Sequence, residues 1–359
     1  MKRAVICTGD PQKWIPQLQD YSIMIVNPVS TPARKQYLLD RADWSLLIDD
    51  QGEHWRDGGS YNEKVLWYTS GTTGDSKFCS FSQQQLDIMA ERICRSYNIT
   101  ANDRYTSIMP LWHAHGQGFY WTAQHAGCET TYLSVKTLKD MPRSSPTFIT
   151  AIPDILKAIG HLDFDSLRFV RSASAPLPDL LYNKLSKKYQ VPIIQAFGMT
   201  EALSHCFTNP LHGEQRMGTV GLPDGIEASI VDGRLYIKGP TVVTPDWYDT
   251  GDLADQDHAG YYRILGRHKD QINVRGIKVN PASLEQQLLA AVPGVTECAV
   301  FGTHSVKCIY VGSATADEIV AFLTKLGSYC RPTLVQLVAS IPLSPSGKVS
   351  RTFLNSLYE

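Results

Sequence analysis

Between Lys64 and Gly198 short β-branched or aromatic runs alternate with stretches of helical spacing, and this alternation limits the chain to one broad class of fold. "KVLWYTS", "RYTSIMP", "SPTFITAIP", "LRFVRSAS" and "VPIIQAFG" read as strands. "SQQQLDIMAERICRSY", with Ser82 as N-cap, and "LPDLLYNKLSKKY" read as helices between them. The rhythm is that of an α/β protein. From about Met217 the texture changes to "GTVGLPDGIEASIVDGRLYIKGP", where turn residues Pro223-Asp224-Gly225 and Asp232-Gly233 break alternating apolar positions and predict an antiparallel sheet. After "GRHKDQ" the runs "PASLEQQLLAAVPG", "TECAVFG", "KCIYVGS" and "ADEIVAFLTKLGSY" form a compact α+β pattern. The expected architecture is a large α/β domain with mixed sheets over residues 1–268 and a small α+β domain over 269–359, in keeping with a chain of 359 residues.

Charge and cysteine usage narrow the function. With 34 basic and 35 acidic side chains the net charge is −1, which gives no electrostatic reason for nucleic acid or an anionic membrane as partner. The opening apolar run stops at Cys7 and no later run reaches membrane-spanning length, so a cytoplasmic location is expected. Eight scattered cysteines without a CxxC pair imply neither a zinc site nor a disulfide framework. His113 and His115 form an HxH pair with no third ligand nearby in sequence.

The richest chemistry lies in "YTSGTTGDSK". Ser70, Thr72, Thr73, Gly71, Gly74 and Lys77 follow a strand and precede a helix. Glycines let backbone N–H groups close on an anion, while hydroxyls and a lysine add donors. The spacing is not the GxxxxGK[ST] of a Walker A loop. Its order instead resembles the phosphate-loop signature YTSGTTGxxK of the AMP-forming adenylating enzymes, the superfamily of acyl- and aryl-CoA ligases, peptide-synthetase adenylation domains and luciferase. Further motifs follow in the family's order. "MPLWHAHGQG" (109–118) resembles PLxHxxG, "RSASAPLP" (171–178) its small-residue turn, and "QAFGMTEA" (195–202) its YGxTE, with Phe197 replacing tyrosine. The segments 248–285 and 342–351, "PLSPSGKVSR", complete the set.

The resemblance implies ATP-dependent activation of a carboxylic acid to acyl-AMP with release of pyrophosphate, then thioester formation on coenzyme A or on a carrier-protein phosphopantetheine. Ser70, Gly71, Thr72, Thr73, Gly74 and Lys77 then hold the phosphates, Thr200 touches the α-phosphate, and Glu201 takes the magnesium role. Asp252 and Arg267 bind the ribose, and Lys348 enters from the small domain to meet carboxylate and α-phosphate. Lys269 occupies the hinge position about which that mobile domain turns, and Gly276 resembles the glycine lining the pantetheine channel. The acyl pocket is expected around His113, which takes the family's aromatic-gate position, with Ser172, Ser174, Ala175, Phe197 and Gly198. "PLWHAHGQG" is most similar to o-succinylbenzoate-CoA ligases, and the small residues leave room for an aryl or medium acyl acid. Arg275, Lys278 and Lys307 are candidates for a basic patch at the channel mouth.

Some features depart from the family pattern. "GDSK" lacks the proline usual before the lysine, and "SAS" replaces a glycine-rich strand. The stretch ahead of the phosphate loop is short, which implies a cut-down N-terminal subdomain and a homodimer to cover the exposed face. Retention of Glu201, Asp252, Arg267 and Lys348 argues against the alternative of a non-catalytic acyl- or nucleotide-binding relative.

Overall fold

The computed structural model describes residues 1–69, 77–342 and 349–358. The first sheet contains β1 (Lys2–Cys7), β2 (Tyr21–Ile25), β3 (Leu46–Asp49), β4 (Gly52–Trp55), β5 (Val65–Tyr68) and β6 (Phe78–Phe81), in the order β4-β3-β1-β2-β5-β6. Strands β1, β2, β3 and β5 run parallel, and β4 and β6 close the edges antiparallel. "RAVIC" in β1 is buried throughout, as a strand covered on both faces must be. Ala4 and Ile6 pack with Leu111 and Tyr120, whereas Val5 and Cys7 pack with Leu38 and Ala42 of helix α1 (Pro32–Ala42). The segment expected to be a cut-down subdomain therefore supplies four strands and a helix, and its β2 pairs directly with β5, whose end leads into residues 70–76.

The second sheet joins β7 (Arg104–Ser107), β8 (Glu129–Tyr132), β9 (Phe148–Ala151), β10 (Phe169–Ser172), β11 (Ile193–Phe197), β12 (Phe207–Thr208) and β13 (Leu222–Pro223), in the order β13-β12-β11-β10-β9-β7-β8. Its first five strands are parallel and the last two antiparallel. Helices α2 (Gln83–Tyr97) and α3 (Ala114–Ala126) fill the space between the two sheets. Trp67 and Phe81 of the first sheet, Leu86, Met89 and Ile93 of α2, Phe119 of α3, and Phe148 and Phe169 of the second share one core. Phe148 stacks on Tyr105 and on Phe169, each at 5.2 Å. Helices α4 (Pro153–Ile159) and α5 (Asp179–Tyr189) cover the opposite face through Ile155, Leu156 and Leu185.

An antiparallel sheet follows, β14 (Glu227–Val231), β15 (Arg234–Lys238), β16 (Tyr248–Gln256) and β17 (Tyr262–Arg267). Asp232 and Gly233, with φ of 50° and 74°, make the tight left-handed turn between its first two strands. Beyond β17 come a hairpin, β18 (Ile272–Val274) and β19 (Ile277–Val279), helix α6 (Pro281–Ala291), strands β20 (Val295–Phe301) and β21 (Val306–Gly312), helix α7 (Ala316–Lys325), β22 (Pro332–Leu337) and helix α8 (Arg351–Tyr358). Ile272, Leu288, Val300, Cys308 and Leu323 form a core drawn entirely from this smaller part. No helix among the described residues is long and apolar enough to cross a membrane.

The Ser82 expectation is met in detail. Ser82 Oγ accepts from the Gln85 amide at 3.2 Å and Gln85 Oε1 accepts from the Ser82 amide at 3.1 Å, a reciprocal cap on the helix that separates the sheets. Replacing Ser82 by alanine removes one half of that cap. Ser82→Ala is expected to cost about 1 kcal/mol, read as a lower urea midpoint with an unchanged slope.

Candidate active site

The carboxyl ends of the parallel strands β9, β10 and β11 point to one region, where open α/β sheets bind ligands. Strand β11 ends at Phe197 and turns through Gly198 into a single 3-10 turn, Thr200–Ala202. A side chain at Gly198 would put Cβ 1.9 Å from the Ser204 carbonyl oxygen, so only glycine permits this crossing. Leu203 and Ser204 then adopt left-handed φ values of 50° and 69°, a strained pair that turns the chain back into β12. Thr200 and Glu201 are half-buried on the turn. The Glu201 carbonyl accepts from the Val243 amide at 2.9 Å, and Tyr248 Oη donates to Glu201 Oε1 at 3.4 Å.

Two buried thiols locate the charged residues relative to one another. Cys79, pushed up to about 12 by burial, also feels Glu201 and Lys77. Burial likewise pushes Cys206 up to about 12, and among its charged neighbours are both Glu201 and Asp252. Glu201 therefore acts on both thiols, with Lys77 near the first and Asp252 near the second. A half-buried carboxylate such as Glu201 fits a magnesium ion that keeps most of its ligands as water and phosphate oxygens.

Asp252 and Arg267 are directly opposite one another in the β16–β17 ladder. Arg267 Nε lies 3.1 Å from Asp252 Oδ1, and its Nη1 donates to the Thr250 carbonyl at 2.7 Å. The Asp252 side chain is buried while Arg267 is substantially exposed, leaving a fixed carboxylate under a reachable guanidinium. Gly251, at φ 73°, bends the strand here and its amide bonds Asp249 Oδ1 at 2.9 Å. The ladder shifts register just beyond Asp252, a bulge of the kind that re-aims side chains near sites.

Lys269 is exposed in the short turn His268–Asp270 that joins the antiparallel sheet to the smaller part. Arg275 and Gly276, at φ 53° and 89°, form the two-residue tip of the β18–β19 hairpin. A Cβ at Gly276 would meet nothing within 4 Å, so in this conformation the backbone angle calls for glycine, and crowding does not. Lys278 shares the hairpin, but Lys307 does not: its Nζ donates to the Tyr358 carbonyl at 2.8 Å and ties β21 to α8. Ser70, Gly71, Thr72, Thr73, Gly74 and Lys348 lie outside the described residues.

Around the expected acyl pocket the structure assembles a buried polar network that the motifs do not announce. His113 stands at the N-cap position of α3 without a side-chain capping bond, and His115 lies inside its first turn, buried. Nε2 of His115 meets Thr150 Oγ1 at 2.7 Å, and Nδ1 meets Ser174 Oγ at 3.1 Å. Ser174 is half-buried with φ 72°, Ala175 is half-buried beside it, and Ser172 is fully buried. Phe197 packs edge-on against Phe207 at 5.9 Å. Arg171, fully buried, donates to Tyr97 Oη at 3.0 Å and approaches His115 Nε2 at 3.3 Å and His205 Nδ1 at 3.4 Å. His205 Nε2 and Ser96 Oγ both lie 2.6 Å from Asp224 Oδ2. A positively charged residue inside the apolar run "LRFVRSAS" was the one sequence signal of this network.

Burial pushes His205 down to about 4, more than the neighbouring Asp224 raises it, with Arg171 and Arg92 adding to the fall. His115 is held well below the ordinary range by burial, then by Arg171 and His113. Burial alone would raise the Asp224 carboxyl, but hydrogen bonds from His205 and Ser96 and the charge of Arg92 outweigh it and hold it low. Both histidines are therefore neutral at pH 7. Because the folded His205 resists protonation, the unfolded chain binds more protons between pH 6.5 and about 4. Stability is full above pH 6.5 and falls with pH across that window, by about 3 kcal/mol from His205 alone. Thermal melts from pH 7 to 4 are expected to show this fall, and a shallower one in His205→Asn.

Fold and motif order together are those of the adenylate-forming superfamily. Residues 64–244 match the model of the AMP-binding enzyme family, and 285–348 match that of the AMP-binding enzyme C-terminal domain. The chain belongs to the AMP-binding enzyme family. It is 28% identical to an oxalate–CoA ligase of Arabidopsis thaliana, over 89% of this chain and 72% of that protein. It is 29% identical to a sulfoacetate–CoA ligase of Cupriavidus necator, over 80% of this chain and 65% of that one, so it spans about two-thirds of these relatives. Among solved structures, ATP-bound MatB from Rhodopseudomonas palustris superposes with a TM-score of 0.87 at 22% identity, covering 99% of this chain and 88% of that one. The o-succinylbenzoate coenzyme A synthetase MenE from Bacillus subtilis, with AMP, gives 0.85 at 22% identity, covering 98% and 88%.

Proposed function

We propose that the protein is an AMP-forming acid–thiol ligase, activating a carboxylic acid with ATP and passing the acyl group to coenzyme A. What supports this reading is the match of residues 64–244 to the AMP-binding enzyme family, with Glu201 just beyond the end of β11 and the buried Asp252 3.1 Å from the exposed Arg267. In the first step a carboxylate oxygen of the acid bonds to the α-phosphorus of ATP, the bond from that phosphorus to the bridging oxygen breaks, and pyrophosphate leaves. Two anions are being pressed together, so fixed positive charge and hydrogen-bond donors must offset their repulsion. Lys77 and the loop 70–76 serve the phosphates, Thr200 the α-phosphate, and Asp252 with Arg267 the ribose. Magnesium, held at Glu201, supplies charge neutralisation on the phosphates. In the second step the thiol of coenzyme A attacks the acyl carbonyl, AMP departs, and the thiol proton passes to solvent.

One site serves both steps if the segment 269–359 turns about Lys269 as a mobile lid, bringing Lys348 in for adenylation and Gly276 in for thioester formation. Lys348→Ala is then expected to abolish adenylation while leaving thioester formation from supplied acyl-adenylate largely intact. Lys269→Pro is expected to do the reverse. Equal loss of both half-reactions in both variants contradicts the rotation.

The defining assay is pyrophosphate release with ATP and magnesium over a panel of acids, with and without coenzyme A. The panel includes oxalate and sulfoacetate, named for the relatives, alongside aryl and medium acyl acids. Release with formation of a coenzyme A thioester is the expected outcome. Acyl-adenylate without thioester redirects the second step to a carrier-protein phosphopantetheine, and no release with any acid overturns the ligase reading.

A further inference from the structure

The buried network beneath the acyl pocket does not balance its charge. Arg171 and Arg92 are 0% and 2% exposed, and each carries a full positive charge. Arg92 donates to the carbonyls of His205 at 2.7 Å and Gly225 at 3.0 Å and to Thr241 Oγ1 at 3.2 Å. Among the described residues neither guanidinium hydrogen-bonds a carboxylate. The one acid in the network, Asp224, acts directly on the Arg92 charge but is reached from Arg171 only through neutral His205. Two cations against one anion leave an excess positive charge inside the protein. Removing a charge from water without a counter-charge costs several kcal/mol, so such an excess marks a place where an anion is due.

Where the anion belongs follows from the direction in which the network reaches the surface. Arg171 contacts His115, His115 contacts Ser174, and Ser174 is the half-buried residue of the expected pocket. The unbalanced cation stands on β10 and faces the expected pocket only through His115 and Ser174. An apolar or aryl acyl chain would not answer it.

We propose that Arg171, through His115 and Ser174, is a specificity-determining residue that selects acids bearing a second anionic group close to the reacting carboxyl. The selection rests on the ligase reading, since it concerns the same acid. The second group restores charge balance over Arg171 and gives the Ser174 hydroxyl an acceptor, while the first carboxylate remains at the α-phosphate.

The test compares acids matched in carbon number: malonate with propionate, and succinate with butyrate, by pyrophosphate release. The wild-type enzyme is expected to show kcat/KM at least about tenfold higher for the member of each pair with two carboxylates. In Arg171→Met that ratio falls toward one, mainly through a higher KM for the doubly charged acid. Should Arg171→Met fail to fold, Ser174→Ala replaces it and is expected to raise the same KM several-fold. A wild-type preference for the singly charged or aryl acids overturns the inference and leaves the ligase reading standing. An equal loss for both members of a pair in a folded Arg171→Met also overturns it, and silence with every acid overturns both readings.

Discussion

A guanidinium with no access to water has to be satisfied by its neighbours, and Arg171 obliges four parts of the chain to meet. Tyr97 comes from α2, His115 from α3, Thr150 from β9, and His205 from the turn after β11. None of these contacts is between residues close in sequence. Holding them together fixes how the helices between the sheets sit over the carboxyl ends of the strands. It also fixes the turn Thr200–Ala202, because His205 cannot face Arg171 unless the chain has doubled back through Leu203 and Ser204. The position of Glu201 therefore depends on the same interaction that sits under the expected acyl pocket.

That arrangement explains why a strained turn is tolerated. Two successive left-handed residues other than glycine are costly, and they persist because Gly198 lets the Ser204 carbonyl approach closely and Cys206 pairs its amide with the Phe197 carbonyl at 3.0 Å. The antiparallel sheet holds the turn from the other side through Val243 and Tyr248. The residues proposed to face the nucleotide thus come from two sheets of different type, with Glu201 in the turn after β11 and Asp252 and Arg267 in the antiparallel β16–β17 ladder.

Much of this was legible in the sequence where the signals are local. The cap at Ser82, the strand runs at the second sheet and the turn at Asp232-Gly233 all depend on neighbouring residues, and periodicity reads such features directly. Asp252 and Arg267 were singled out by resemblance, and a hairpin ladder makes them partners. What escaped was non-local. Pairing of β2 with β5 depends on strands some forty residues apart, and no pattern in the opening stretch states that it completes a sheet with the strand before the phosphate loop. Arg171, His205 and Asp224 look unrelated in sequence because their relation is an exchange of hydrogen bonds and charge in a space that only the folded chain encloses. Lys307 shows the opposite error, for a basic residue noted for its charge is engaged in joining a strand to a helix.

The five sheets among the described residues share one property of order. Each is built from strands consecutive in the chain, β1 to β6, β7 to β13, β14 to β17, β18 with β19, and β20 to β22, and none borrows a strand from another. During synthesis, which proceeds from the amino terminus, every sheet can therefore close as soon as its own last strand has emerged. The open edges that invite misassociation need persist only for the length of one sheet.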